Sequence, residues 1–163
     1  MSEAEQPAPA PVYCIDTCCL IDGWRVYDPE MFSSLWERLA GLVEEGRLVS
    51  SDEVLDELSR KADAIYEWAK VREGMFLPLT PDVVAETKAL LARYPRLLNE
   101  RKGRNSADPY VIALAKLKGC VVVSEETPST NVATNPKVPS VCLAEGIECI
   151  RLADLIKRER WKF

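Results

Sequence analysis

The chain has 163 residues, of which 47% are hydrophobic and 29% charged, which is about one domain's worth with enough apolar material for a core. Its formal net charge of −5 argues against a simple basic nucleic-acid-binding module, because such modules cluster lysine and arginine on phosphates. No apolar run approaches the roughly 18 residues of a membrane span, and with no histidine any hydrolysis falls to carboxylates, a metal, cysteine, serine or lysine.

Residues 1–11 are rich in Glu, Pro and Ala and carry no basic segment, so they read as a disordered lead-in and not as a signal peptide. Residues 12–163 read as one domain. Val12-Tyr13-Cys14-Ile15 is a short apolar run, the first strand, and it ends on Asp16. Residues 16–23 read as a turn, with Thr17, Asp22 and Gly23 as turn chemistry. From Pro29 to Glu45, Phe32, Leu35, Trp36, Leu39, Leu42 and Val43 recur at helical spacing, and Gly46 closes the helix. Residues 47–49 are a short strand candidate. Ser50 and Glu53 have capping-box spacing at the start of a helix whose apolar stripe is Val54, Leu58 and Ile65. Glu57 lies on the flank of that stripe, about 60° away.

Residues 75–79 form a short apolar segment. Thr80 and Pro81 then have the N-cap and N1 signature of a helix reaching about Tyr94. A polar, basic loop follows from Pro95 to Ala107. Pro109 opens a helix that is apolar nearly all round, which predicts a central buried helix capped by Gly119. Cys120-Val121-Val122-Val123-Ser124 is a second clear strand, and it runs into Glu125 and Glu126. After a Thr-, Asn-, Ser- and Pro-rich loop at 126–139, the pattern predicts a helix at 140–145, a strand at 147–151 and a last helix from about Ala153. Strands alternating with helices predict an α/β fold, a three-layer α/β/α sandwich around a mainly parallel sheet.

The six cysteines form no C-x-x-C pair and have no histidine companion, so zinc is not indicated. Cys14, Cys120, Cys142 and Cys149 lie in apolar runs as small hydrophobes, and without a secretion signal all six read as reduced thiols of a cytoplasmic protein.

The acids carry the chemistry. Asp16 and the Glu125–Glu126 pair both follow strands, and parallel strands end at one edge, where ligands of open α/β sheets bind. Asp108 precedes the buried helix, whose start faces the same edge. Each acid also has a plain reading: an Asx-type turn for Asp16, a helix N-cap before Pro109 for Asp108, a solvated helix position for Glu57, and a strand reaching solvent for Glu125 and Glu126. Gathered together, they suit Mg²⁺ or Mn²⁺, which favour oxygen ligands. An ion so held activates water and stabilises in-line displacement at phosphorus.

The segments Tyr-Cys-Ile-Asp-Thr-Cys-Cys-Leu-Ile-Asp (13–22), Glu-Val-Leu-Asp-Glu-Leu (53–58), Ala-Asp-Pro-Tyr-Val-Ile-Ala-Leu-Ala (107–115) and Val-Val-Val-Ser-Glu-Glu (121–126) resemble, in order and spacing, the PIN-domain family, in a branch related to the VapC-type toxins. The resemblance implies a divalent-metal-dependent endoribonuclease with Mg²⁺ or Mn²⁺ as cofactor. By position it assigns Asp16, Glu57, Asp108 and Glu126 as the metal-binding catalytic acids, with Glu125 as the alternative fourth. Thr17 and Ser124 then stand beside them. Cys18 departs from the family's usual Ser, and Glu126 from its usual Asp. Relatives are often toxins neutralised by an antitoxin and commonly form homodimers, so RNA, an antitoxin and a second copy are the partners it implies.

Lys88, Arg93, Arg96, Arg101, Lys102 and Arg104 lie within seventeen residues, opposed only by Glu100. Arg101, Lys102 and Arg104, with the tail at 157–162, are the RNA-binding candidates. The bland alternative for this run is a solvated helix face and loop. The competing functions are a catalytically silent PIN-fold module that binds RNA or protein, a metal-dependent phosphatase, and a cysteine nucleophile at Cys18 or Cys19. The last lacks the usual histidine base.

Overall fold

Residues 8–98 and 106–163 are described by the computed structural model. Tyr13–Ile15 (β1) is buried throughout, as a strand covered on both faces must be. Asp16 ends it and turns the chain directly into a helix, Thr17–Val26 (α1). Its carboxylate accepts from the Cys19 N–H at 2.8 Å, the bond of an N-cap. The expected turn at 16–23 is therefore helix, and Asp22 and Gly23 lie inside it. Gly23 serves close packing: a Cβ there would lie 3.2 Å from Leu152 Cδ2 and 3.8 Å from the Trp36 ring.

Ser33–Glu44 (α2) buries Leu35, Trp36, Leu39, Leu42 and Val43 as one stripe. It starts later than Pro29 because Asp28 closes a turn, accepting from Phe32 N–H at 2.8 Å on its carbonyl and from Glu30 N–H at 2.8 Å on its carboxylate. The next strand is Leu48–Ser51 (β2). The capping box expected at Ser50 is displaced by one residue. Ser50 donates its hydroxyl to Ile15 O at 2.6 Å, and Ser51 is the N-cap, accepting from Glu53 N–H at 3.2 Å. The single expected helix is two, Asp52–Lys61 (α3) and Asp63–Lys70 (α4), separated by the extended backbone of Ala62. Val54, Leu58 and Ile65 are all buried, but Ile65 belongs to α4.

Phe76–Leu77 (β3) precedes Pro81–Arg93 (α5), which has Thr80 as N-cap and Pro81 in its first turn as expected. A 3₁₀ turn occupies Pro95–Leu97. Asp108–Lys118 (α6) buries Pro109, Val111, Ile112, Ala113, Leu114 and Ala115, and ends on Gly119 in the left-handed conformation at φ 66°. Val121–Val123 (β4), Val138–Ala144 (α7), Cys149–Ile150 (β5) and Leu152–Arg158 (α8) complete the described elements.

The five strands form one sheet in the order β3-β2-β1-β4-β5, and every pairing is parallel. Tyr13 is in register with Leu48 on one side and Val121 on the other. Strand neighbours point to opposite faces, and the contacts of β1 identify both. The Cys14 thiol reaches Val111 O of α6 at 3.7 Å, and the Tyr13 hydroxyl donates to Glu159, just beyond α8, at 2.7 Å. On the first face α6 covers β1, β2 and β4, with α5 and α7 beside it. On the second, Trp24 of α1, Trp36 of α2 and Trp68 of α4 form an aromatic cluster with ring centroids 4.7 to 6.4 Å apart. The expected three-layer α/β/α sandwich is the fold.

Chain order sets the site. After β1 the chain builds outward through β2 and β3, then returns to place β4 on the other side of β1. Such a reversal opens a crevice at the carboxyl ends of the two central strands, where ligands bind in this architecture. Asp16 follows β1 and Ser124 follows β4. The Asp16 N–H donates to Val123 O at 3.1 Å, which ties the two strand ends together.

Candidate functional site

Asp16 is completely buried at the carboxyl end of β1, beside the end of β4. Oδ1 accepts from the Cys19 N–H at 2.8 Å, the Cys18 thiol lies 3.3 Å from both oxygens, and the Ser124 hydroxyl also bonds the carboxylate. These donors are all neutral. Among the described residues no ammonium or guanidinium pairs with Asp16. Burial pushes its pKa up to about 7, partly offset by those hydrogen bonds, and the charge of Asp108 adds to the rise. The Asx-type cap seen in the sequence is real, yet it leaves a buried carboxylate beside a second carboxylate.

Glu57 joins the remaining parts. It is 7% exposed, on the inner side of α3, where the sequence placed it on a flank. Oε2 accepts from the Thr17 hydroxyl at 3.1 Å and from the Ala107 N–H at 3.1 Å. Thr17 follows Asp16 in the chain and Ala107 precedes Asp108, so one oxygen links the segments carrying both other acids. Oε1 accepts from Lys61 Nζ at 2.6 Å, one turn further along α3. Asp108 is the first residue of α6 and is not its cap. Ala107 holds the cap position, and the Asp108 N–H donates to Ser106 Oγ at 3.3 Å.

The acids after β4 have other partners. Glu126 Oε2 accepts from Val138 N–H at 2.8 Å at the start of α7, and Glu125 Oε1 accepts from Leu152 N–H at 2.8 Å at the start of α8. A carboxylate at a helix start meets unpaired N–H groups and the positive end of the helix dipole. Arg151 stands 3.8 Å from Glu125. Ser124 Oγ accepts from the Glu126 N–H at 3.2 Å. Glu126 remains close enough for its charge to act on the Cys18 thiol.

Cys18 is half-buried, and its pKa is raised by burial first and by the Asp16 charge second. A thiol held neutral is a poor nucleophile, which disfavours the cysteine mechanism. Cys19 is fully buried and is raised for the same two reasons.

The basic residues divide. Arg101, Lys102 and Arg104 lie outside the described residues. Arg93 is tied to Glu145 at 2.6 Å, and Arg96 donates to Thr134 O at 3.3 Å. The same Glu145 meets Lys116 at 3.6 Å, about 12 Å along α6 from Asp108. The tail is away from the acids altogether. Glu159 accepts from Tyr13, the first residue of β1, and from Arg47 at 2.7 Å, just before β2. The tail thus sits at the amino edge of the sheet, and Arg158 is spent on Glu148. The expectation that residues 157–162 hold phosphates at the acidic site is not met by this geometry.

Lys61 escaped the sequence reading, although its spacing from Glu57, i to i+4, is the signal of a helical ion pair. Asp16, Glu57 and Asp108 offer only oxygen donors, and the Asp108 charge acts on the buried Asp16 carboxylate, a donor set that suits a hard divalent ion. Among the described residues no three cysteine, aspartate or glutamate side chains are grouped closely enough to enclose an ion as they stand. No helix among them is long and apolar enough to cross a membrane.

No curated protein matches the chain. A family model described as a domain of unknown function, DUF4411, matches residues 13–163, from the first residue of β1 to the last of the tail. The matched span takes in the whole sheet and every acid at its carboxyl edge, and the chain belongs to the DUF4411 family.

Proposed function

We propose that the protein is a divalent-metal-dependent endoribonuclease of the PIN-like kind, cytoplasmic, with RNA as substrate. The observation that carries the reading is Asp16: a fully buried carboxylate that, among the described residues, meets only neutral donors, with Asp108 near enough for its charge to act on it. Burying negative charge without a countercharge is costly. A bound cation would offset that cost. Six free cysteines agree with a reducing compartment.

In this reading Asp16, Asp108 and Glu57 would hold Mg²⁺ or Mn²⁺, with Glu126 as the fourth acid. When bound, the ion supplies the charge that makes water a competent nucleophile near neutral pH and offsets charge building on the phosphate. The protein's own groups set the frame. Ser124, Cys18 and the Cys19 N–H fix the Asp16 carboxylate. Thr17 and the Ala107 N–H fix Glu57 from two sides. Arg101, Lys102 and Arg104 precede Asp108 closely in the chain and are proposed to meet the RNA backbone. An antitoxin and a homodimer belong to the proposal only through the PIN resemblance.

The engagement of Glu126 on α7 and of Glu57 with three donors favours a second reading, a PIN-like module that binds RNA or protein without cutting. The test is cleavage of a structured RNA with Mn²⁺ or Mg²⁺, comparing the wild type with Asp16→Asn and Asp108→Asn. The nuclease reading expects cutting by the wild type alone. If both variants cut at the wild-type rate, the site is wrong. If none cuts yet all bind RNA, the silent module stands.

A further inference from the structure

Glu57 is close to saturated as an acceptor. A carboxylate has about four lone-pair sites. On Oε2 two are taken, by the Thr17 hydroxyl and the Ala107 N–H. On Oε1 one is taken by the Lys61 ammonium at 2.6 Å. Among the bonds of the described residues, one position is left for a cation, on Oε1, beside a positive charge already in place. A divalent ion reaching Glu57 must therefore share that oxygen with an ammonium or displace it.

Lys61 is built to be displaced. Its side chain is 48% exposed while that of Glu57 is 9% exposed, so the carboxylate is fixed and the lysine reaches it from solvent. Lys61 is the last residue of α3, and the chain leaves the helix at Ala62. An ammonium swinging out there loses little packing and remains favourably placed at the negative end of the helix. The Thr17 and Ala107 bonds do not depend on it, so Glu57 stays aimed at the segments of Asp16 and Asp108 after the lysine leaves.

We infer that Lys61 is an internal counter-cation that competes with the divalent ion for Glu57 and so sets the ion concentration at which the site fills. The inference rests on the metal-site reading above. It makes Lys61 a positioning residue, whose loss strengthens ion binding where a purely structural role would weaken it. Removing its charge is expected to tighten Mn²⁺ binding about fivefold, the scale of a partly exposed ion pair.

The test is calorimetric titration of Mn²⁺ into the full chain, as wild type, Lys61→Met, Lys61→Arg, Asp16→Asn, Glu57→Gln and the double variant Lys61→Met/Glu57→Gln. The expected result is tighter binding by Lys61→Met, wild-type binding by Lys61→Arg, and no effect of Lys61→Met once Glu57 is Gln. That last comparison isolates the coupling between the two side chains. If the wild type binds Mn²⁺ through Asp16 but Lys61→Met binds equally or more weakly, the competition is refuted and the metal site stands. If neither the wild type nor Lys61→Met shows Asp16-dependent binding, the metal site fails and the competition with it.

Discussion

The Thr17 hydroxyl donates to Glu57 Oε2 at 3.1 Å, across 40 residues of sequence. The bond fixes the first residue of α1, and with it Asp16, against the middle of α3. Thr17→Val keeps the shape and removes the donor, leaving that buried oxygen with the Ala107 N–H among the described donors. The expected cost is about 1–2 kcal/mol of unfolding free energy by urea titration, with Thr17→Ser retaining most of the stability. Mn²⁺ affinity is expected to fall in Thr17→Val as Glu57 loosens.

Asp16 predicts an unusual dependence on pH. Its folded pKa of about 7 lies above the ordinary carboxyl value because burial disfavours the charged form. Between roughly pH 4 and pH 7 the folded state therefore holds a proton that the unfolded state has lost, and stability falls as pH rises through that window. In protein stripped of divalent ions, Asp16→Asn is expected to flatten this slope and to be more stable than wild type at pH 8, by on the order of 2–4 kcal/mol. The two converge near pH 4. Melting curves across pH check it, and equal slopes would remove the uncompensated charge from the account.

Glu159 has the opposite sign. Burial alone would raise its pKa, but the bonds from Arg47 and the Tyr13 hydroxyl outweigh burial and hold it low. Its contribution is thus present above the ordinary carboxylate range and is lost as pH falls through the depressed value. Glu159→Gln is expected to cost about 2 kcal/mol at pH 7 and little in acid. The same variant should cut RNA at the wild-type rate, since this cluster lies at the edge of the sheet opposite Asp16.

Glu125 and Glu126 separate capping from chemistry. Each accepts a backbone N–H at a helix start, so Glu125→Ala and Glu126→Ala are each expected to lose about 1 kcal/mol. Cleavage should fall further in Glu126→Ala than in Glu125→Ala, because Glu126 is the proposed fourth acid. It should fall less than in Asp16→Asn. Equal cleavage by Glu126→Ala and the wild type would reduce the acidic set to three.

Four of the five strands and the buried helix were legible because apolar runs such as Val121–Val123 and the all-round apolar face of α6 have no other stable use, whereas Phe76–Leu77 was legible only as an apolar segment. The placement of Asp16 and Asp108 was legible as well, since parallel topology brings strand ends and helix starts to one edge, whereas Glu57, in the middle of α3, was assigned its role by the resemblance alone. Local polar residues misled. Asp22 and Gly23 have turn chemistry, but Gly23 is in α1 for its contact with Leu152 and Trp36, a tertiary cause that no window of sequence carries. Ser50 fitted a capping box, but its hydroxyl goes to Ile15 O on the neighbouring strand. The periodicity of α3 and α4 runs on through Ala62, where only the backbone shows the break. Charge was the hardest to assign. Arg93 and Arg158 read as free cations in sequence, and folding brings each to a glutamate.

In the metal-site reading Asp16, Glu57 and Asp108 share one ion. The most direct measurement is a crystal structure grown with Mn²⁺, read by its anomalous scattering. A single strong peak is expected at the ends of β1 and β4, at coordination distance from oxygens of Asp16 and Asp108, with Lys61 swung away and Glu57 Oε1 on the ion. A fully Mn²⁺-soaked crystal with no peak there, or with manganese only at acids elsewhere on the surface, would contradict it.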